Sequence, residues 1–305
     1  MPGYLLRRAA QGVLVLVGVS AIVFVLTRLS GDPVALLLPE RASPQEIAAL
    51  RDRLGLNDPL PVQFVRFFTE AAQGDFGNSI RFRQPALDLV LDRLPATALL
   101  TGLSLALALL LAIPMGVIAA LRRGSWLDRA LMSVSLLGYA VPTFWLGIML
   151  ILIFSVRLHL LPPSGFGTPS QLVLPTVTLG IYEAALLARL LRRGLVDTFA
   201  QPYIQTAHSK GLGSLRILVV HAMRNAAIPV VTVFGLQLGS LLGGAVITET
   251  VFSYPGVGLL VVQAIGQRDF PIIQAFVIVS AATVVVINLL VDLTYAALDP
   301  RIRDG

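Results

Sequence analysis

The chain reads as an all-α integral membrane protein. It has six transmembrane helices, both termini cytoplasmic, and an extracytoplasmic helical cap between spans one and two. Three observations lead there. Of 305 residues, 56% are hydrophobic and 13% charged, about half the charged share of a soluble domain, and the mean hydropathy is +0.82. The apolar residues gather in six long runs, each near the roughly 20 residues that cross a bilayer. The cationic residues crowd into alternate short loops.

The runs lie at about Ala9–Thr27, Thr97–Leu121, Leu131–Val156, Leu172–Leu191, Ala226–Thr248 and Ile272–Leu298. They are continuous rather than alternating, so each reads as a helix that satisfies its own backbone in lipid, not as a barrel strand. Arg7, Arg8, Arg122, Arg123, Arg129, Arg192, Arg193, Lys210, Arg216, Arg224, Arg301 and Arg303 fall on one side. The opposite short loops hold Arg157 and Arg268. Twelve against two sets the termini in the cytoplasm. The first run follows two arginines, as a signal-peptide core does. It is longer than such a core and no small-residue cleavage site follows, so an uncleaved first helix is expected.

The organisation that follows is a first transmembrane helix at 1–28, an extracytoplasmic cap at 29–95, and a five-helix core at 96–305. In the cap, Ser43, Pro44 and Glu46 form a helix start: an N-cap, a first-turn proline and a capping-box acid. That helix is expected from Pro44 to about Leu54, stopping at Gly55. A second runs over Pro61–Gln73, with Phe64, Phe67 and Phe68 on one side. The cap either packs on the outer face of the bundle or also serves as a platform for an external partner.

Between spans four and five, about 194–225, the chain is polar and basic and holds Lys210, the only lysine. Asp197-Thr198 is expected to cap a short helix through Tyr203, Thr206, Ala207 and Lys210, with Pro202 in its first turn. Gly211 and Gly213 supply the positive φ of a tight turn. A second helix resumes near Ser214, passes Ile217, His221 and Arg224, and enters span five at Pro229. The result is a cytoplasmic helix–turn–helix elbow, shaped to fit a partner's cleft.

Several chemistries are excluded. Cysteine is absent, so there is no disulfide or thiolate site. His159, His208 and His221 fall in different loops without metal-ligand spacing, and no HExxH motif occurs. Lys210 is not preceded by a phosphate-cradling GxxxxGK[ST] loop, so ATP is not bound by that route, no cofactor is expected on this chain, and no catalytic residue is assigned. The alternative function class is an ion-coupled standalone secondary transporter, which buries ionisable groups mid-span. Glu183 is the acid near a span centre. It either lines a pathway, pairs with arginine on a neighbouring helix, or is simply satisfied in the bundle interior. Gly239 and Gly243, four apart in span five, permit close helix approach. Glu249 to Gly256, including Phe252 and Pro255, reads as an outer gate, a partner contact or a plain turn.

The elbow resembles the EAA coupling loop of ABC-importer permeases, with Thr206-Ala207 at the paired alanines, Gly211 at the glycine and Pro229 at the proline. Gln205 stands where that pattern has glutamate, so no carboxylate role carries over. Tyr203-Ile204 through Gly211-Leu212, with His221-Ala222 and Arg224-Asn225-Ala226, is similar to the dipeptide/oligopeptide branch, which includes nickel and glutathione relatives. Further matching pieces run in order through Gly31-Asp32-Pro33, Leu54-Gly55-Leu56, Gly74 to Ser79, Pro142-x-Phe144, Leu161-Pro162-Pro163, Gly243-Gly244, Glu249 to Gly258 and Asp299-Pro300-Arg301. The resemblance implies a multi-pass permease in a bacterial inner membrane, importing peptides as half of a heterodimeric channel. It implies a second related permease, two cytoplasmic ATPase subunits that bind ATP and Mg, an external substrate-binding protein, and no nucleic acid. On that reading Thr206, Ala207, Lys210 and Gly211, with Tyr203, touch an ATPase subunit, and Arg216, His221 and Arg224 anchor the second limb.

Overall fold

A computed structural model describes residues 2–29, 43–53 and 55–298. The matches at Gly31-Asp32-Pro33, Leu54 and Asp299-Pro300-Arg301, and the cations Arg301 and Arg303, lie outside the described residues. Among the described residues there is no sheet, only an isolated bridge between Asn78 and Pro85. The chain divides into two compact units, residues 1–95 with 260–305, and residues 96–259.

In the first unit, α1 (Pro2–Leu29) packs along α12 (Phe270–Leu298). Gly12 permits this: a Cβ there would lie 2.6 Å from Val285 Cγ1. Helix α2 (Pro44–Arg53) starts with the expected capping box. The Ser43 amide donates to Glu46 Oε2 at 2.8 Å, and the Glu46 amide donates to Ser43 Oγ at 3.3 Å. These bonds hold the Glu46 carboxyl below its ordinary pKa. Gly55 takes φ +62° where the helix stops. Helix α3 (Leu60–Ala72) turns its aromatic side to α1: Phe24 meets Phe64 edge-on at 5.6 Å and Phe67 at 5.9 Å.

Helix α4 (Ala86–Leu121) passes from the first unit into the second. There follow α5 (Trp126–Ala140) and α6 (Thr143–Leu150), which widens to π-helical winding over Ile151–Arg157. Next come α7 (Pro169–Phe199) and α8 (Pro202–Ser209). Helix α9 opens at Ser214–Arg216, widens to π winding at Ile217–Ala222, and continues as Met223–Gly244. Helices α10 (Val246–Val251) and α11 (Val257–Gln267) complete the set. Helix α7 is the hub of the second unit, packing against α9 and α5. Gly116, Gly180 and Gly194 each face a neighbouring backbone or Leu side chain too closely to admit a Cβ without movement.

Among the described residues, five helices are long and apolar enough to cross a membrane, and a sixth span arises if a bent pair counts as one. That pair corrects the straight third span expected over Leu131–Val156. Helices α5 and α6 meet at 97°. Pro142 has no N–H to continue α5 and drives Val141 to an extended conformation, φ −75° and ψ 124°. The fifth span, expected at Ala226–Thr248, starts earlier and stops at Gly244, where two poor helix formers adjoin. Helix α11 fills what hydropathy left as a loop.

Candidate functional site

The elbow is built by a glycine-terminated helix. Helix α7 runs on past Leu191, where the fourth span was expected to end, and Asp197-Thr198 do not cap the next helix as expected. Those residues complete its last turn, and extended Gln201 caps α8 with Pro202 at its first position. At the other end the Leu212 amide donates to Ala207 O at 3.2 Å and the Gly211 amide to His208 O at 2.9 Å. This is the paired bonding of a Schellman cap, and Gly211 takes φ +77° as that cap demands. Gly213, expected to share the positive φ, has φ −64° and caps α9.

The elbow has two faces. Ile204 and Ala207 are buried in the cluster that holds Ile217, Ala222, Ala226 and Leu187. Tyr203, Thr206, Lys210, Gly211, Arg216 and Arg224 are exposed, and His221 is half-buried. Ala207, expected on a partner-facing surface, therefore turns inward. It sits three residues after Ile204 and shares its face. Asn225 Nδ2 donates to the Tyr203 hydroxyl at 2.5 Å and ties the second limb back to the first. Leu215, which the sequence reading passed over, is 73% exposed at the start of α9. A leucine so placed among polar residues was the available signal.

A second feature went unread because its arginine served only as a topology marker. Arg192 grips Asp128 bidentately, Nε to Oδ1 at 2.5 Å and Nη2 to Oδ2 at 2.7 Å. Asp128 Oδ2 also accepts the Gly124 amide at 2.9 Å. The pair clamps the first turn of α5 to α7 two turns before the elbow, and a planar fork suits that geometry better than a point charge.

The two singled-out glutamates are both buried, and differently held. Glu183 on α7 accepts from Gln237 Nε2 on α9 at 2.7 Å, so its partner is an amide rather than the arginine considered above. Glu249 is wholly buried and satisfies a helix start. Its Oε1 accepts the Thr97 hydroxyl at 2.6 Å. Its Oε2 accepts the Gly258 and Leu259 amides at 2.7 and 3.1 Å. Thr97 Oγ1 accepts the Val257 amide at 2.9 Å. Three first-turn amides of α11, orphans by helix geometry, are thus all bonded, and the carboxylate lies at the favourable dipole end. Gly256 lies against the Glu249 carboxylate and leaves no room for a Cβ. Phe252 is buried against Gly147, and the buried Tyr254 donates its hydroxyl to Ala96 O at 2.8 Å. Pro255 completes the turn. Gly239 is buried on α9. Gly243 belongs to the last turn of that helix, and its packing lies outside what is described. The sequence flagged Glu249 and missed Thr97, which is 152 residues away.

Apolar spans, a packed elbow and buried carboxylates bonded within the protein define a multi-pass helical membrane protein. Among the described residues no group of acids and histidines could hold a metal. Residues 112–304 match the family described as binding-protein-dependent transport system inner membrane component, and residues 1–101 match its N-terminal counterpart. A probable peptide ABC transporter permease of Sinorhizobium fredii is 41% identical over 309 residues, covering 98% of this chain and 99% of that one. An oligopeptide transport system permease of Bacillus subtilis is 39% identical over 315 residues, covering 99% and 100%. A glutathione transport system permease of Escherichia coli K12 is 40% identical over 304 residues, covering 99% of each. Among solved structures, an inward-facing methionine ABC transporter aligns with TM-score 0.58 at 19% identity, over 69% of this chain and 96% of that one, a likeness of fold.

The chain belongs to the binding-protein-dependent transport system inner membrane component family. It is an inner-membrane permease of an ATP-driven importer, and the standalone ion-coupled alternative falls away.

Proposed function

We propose that the chain forms half of the translocation pathway of a peptide importer. Its partners are a second, related permease, two cytoplasmic ATPase subunits and an external substrate-binding protein. Six spans result when the bent α5–α6 pair counts as one, with both termini cytoplasmic and residues 29–95 capping the outer face. This chain binds no ATP and catalyses no reaction. The peptide assignment is supported by the relatives named for peptides and oligopeptides; the glutathione relative is itself named for a peptide.

The observation that carries the coupling reading is the two-faced elbow. Ile204 and Ala207 root α8 in the core while Tyr203, Thr206, Lys210, Leu215, Arg216 and Arg224 stay exposed. A short helix rooted in this way transmits a rigid-body push from an ATPase cleft to α7 and α9. The Tyr203–Asn225 bond and the Asp128–Arg192 clamp stiffen the lever, and His221 braces its second limb. Glu249, Phe252 and Pro255 hold the start of α11 in place, as supports for a gate rather than its lining. Gly239, buried on α9, lets a neighbouring helix approach closely.

The test is reconstitution of the complete transporter in proteoliposomes, with ATP hydrolysis and peptide uptake read together. Lys210→Glu and Leu215→Glu, both on the exposed face, are expected to lower the uptake driven per ATP at least fivefold with the spans intact. Unchanged uptake per ATP in both variants would refute the docking role.

A further inference from the structure

We propose that Arg189, framed by Tyr139 and Tyr182, is the site where this chain grips the carboxylate of its ligand. The proposal rests on the peptide-importer reading and adds which group of the ligand is held, and by what. Arg189 lies on α7. Its guanidinium carbon sits 4.6 Å from the centre of the Tyr139 ring, and Tyr139 stacks on Tyr182 at 5.1 Å with the planes 17° apart. Its Nε donates to Ala185 O at 3.2 Å, one turn back. Among the described residues no carboxylate comes within ion-pairing distance of Arg189, and its outer N–H groups donate to no protein acceptor. The neighbouring Arg192 on the same helix, by contrast, holds Asp128 through both Nε and Nη2.

A cation inside a membrane helix is unfavourable against lipid and is characteristically turned to a protein interior or a wet cavity. Three further features turn this one inward. Helix α7 is the least hydrophobic and most buried of the candidate spans. Helix α5 breaks just after Tyr139, at Val141–Pro142, with a 97° bend. Broken helices at membrane depth occur where the backbone is buried in protein or lines a cavity. Gly138 lets the two helices close: a Cβ there would already touch Ile181 and Ala185 of α7 at 3.3 and 3.4 Å. That approach carries Tyr139 onto Tyr182 and under the Arg189 guanidinium. Tyr139 remains 40% exposed, and Tyr182 and Arg189 are half-buried, so the site is reachable.

A guanidinium seated over a ring, with only its Nε bonded within the protein, keeps its outer N–H groups for the fork that pairs with a carboxylate bidentately. The C-terminus of a peptide offers that group. A lipid phosphate offers similar oxyanion chemistry, and the experiment separates the two.

The test uses the complete transporter in proteoliposomes, with the binding protein saturated by trialanine or by its C-terminal amide. Saturation leaves the permease to set the uptake ratio of acid to amide. The wild type is expected to favour the acid about tenfold or more, the scale of one charge-assisted hydrogen bond. Arg189→Gln is expected to bring the ratio near one, and Arg189→Lys, which keeps charge but loses the fork, to fall between. If Arg189→Gln does not assemble, Arg189→Lys decides by the same ratio. A wild-type ratio of one, or a variant ratio equal to a tenfold wild-type ratio, overturns the proposal while leaving the importer reading standing. A ratio that follows vesicle phosphatidylglycerol content and not Arg189 assigns the arginine to lipid and also overturns it. Failure of the wild type to import either peptide sinks the peptide reading and this proposal together.

Discussion

Replacing Glu249 by glutamine should unfasten the start of α11. The native carboxylate accepts three donors: the Thr97 hydroxyl on Oε1, and the Gly258 and Leu259 amides on Oε2. A carboxylate can do this because it only accepts, whereas an amide has one accepting end. Turned to serve the two backbone amides, the introduced glutamine would point its NH2 at Thr97 and leave a buried hydroxyl hydrogen without an acceptor, costing about 1–3 kcal/mol. The two amide bonds would also lose their charge assistance, roughly 0.5–1 kcal/mol each. The sum is about 3 kcal/mol, or a factor of roughly 150 in a local opening equilibrium. Hydrogen exchange on the purified protein reads this directly. Peptides covering Val257–Gln267 should exchange about a hundredfold faster in the variant, the scale of that same sum, with α7 unchanged. Thr97→Val should give a smaller acceleration in the same peptides, and the double variant should fall short of the sum because the two share one network. Equal exchange in wild type and Glu249→Gln would refute the capping argument.

Three other outcomes follow from the geometry. Ala207→Asp buries a carboxylate in the cluster around Ile204 and Ile217, and should lower stability by about 2–4 kcal/mol, seen as a depressed Tm and lost yield rather than as clean uncoupling. Gly211→Ala should cost about 1–2 kcal/mol because φ +77° is strained for alanine, while Gly213→Ala, at φ −64° with open space around it, should leave Tm close to wild type. Arg192→Lys loses the bidentate hold on nearly buried Asp128 and should cost about 1–3 kcal/mol, measurable as a Tm shift that Asp128→Asn in the same background barely adds to.

The elbow was legible because its signals are local. Pro202 at a helix start, Gly211 at a helix end and a polar run between apolar ones each act within a few residues. Even so, burial of Ala207 was misjudged, since the face a short helix buries depends on what lies beneath it. The capping box at Ser43 and Glu46 was read correctly for the same local reason. Thr97 with Glu249, Asp128 with Arg192, and Tyr139 with Arg189 were not legible as pairs. The partners lie far apart along the chain, and nothing in either segment names the other.

Hydropathy and charge placement are sums over neighbours in the chain, so they were enough to define a multi-span helical membrane protein with a polar elbow. The bend at Val141–Pro142 sat within reach of the same reasoning, because proline acts on its immediate neighbour. Which partners the buried charges hold was decided by packing alone. In a medium without water every ionisable group must find its partner inside the protein. Glu249 is committed to a helix start, Asp128 to Arg192 and Glu183 to Gln237, while Arg189 is left with donors to offer.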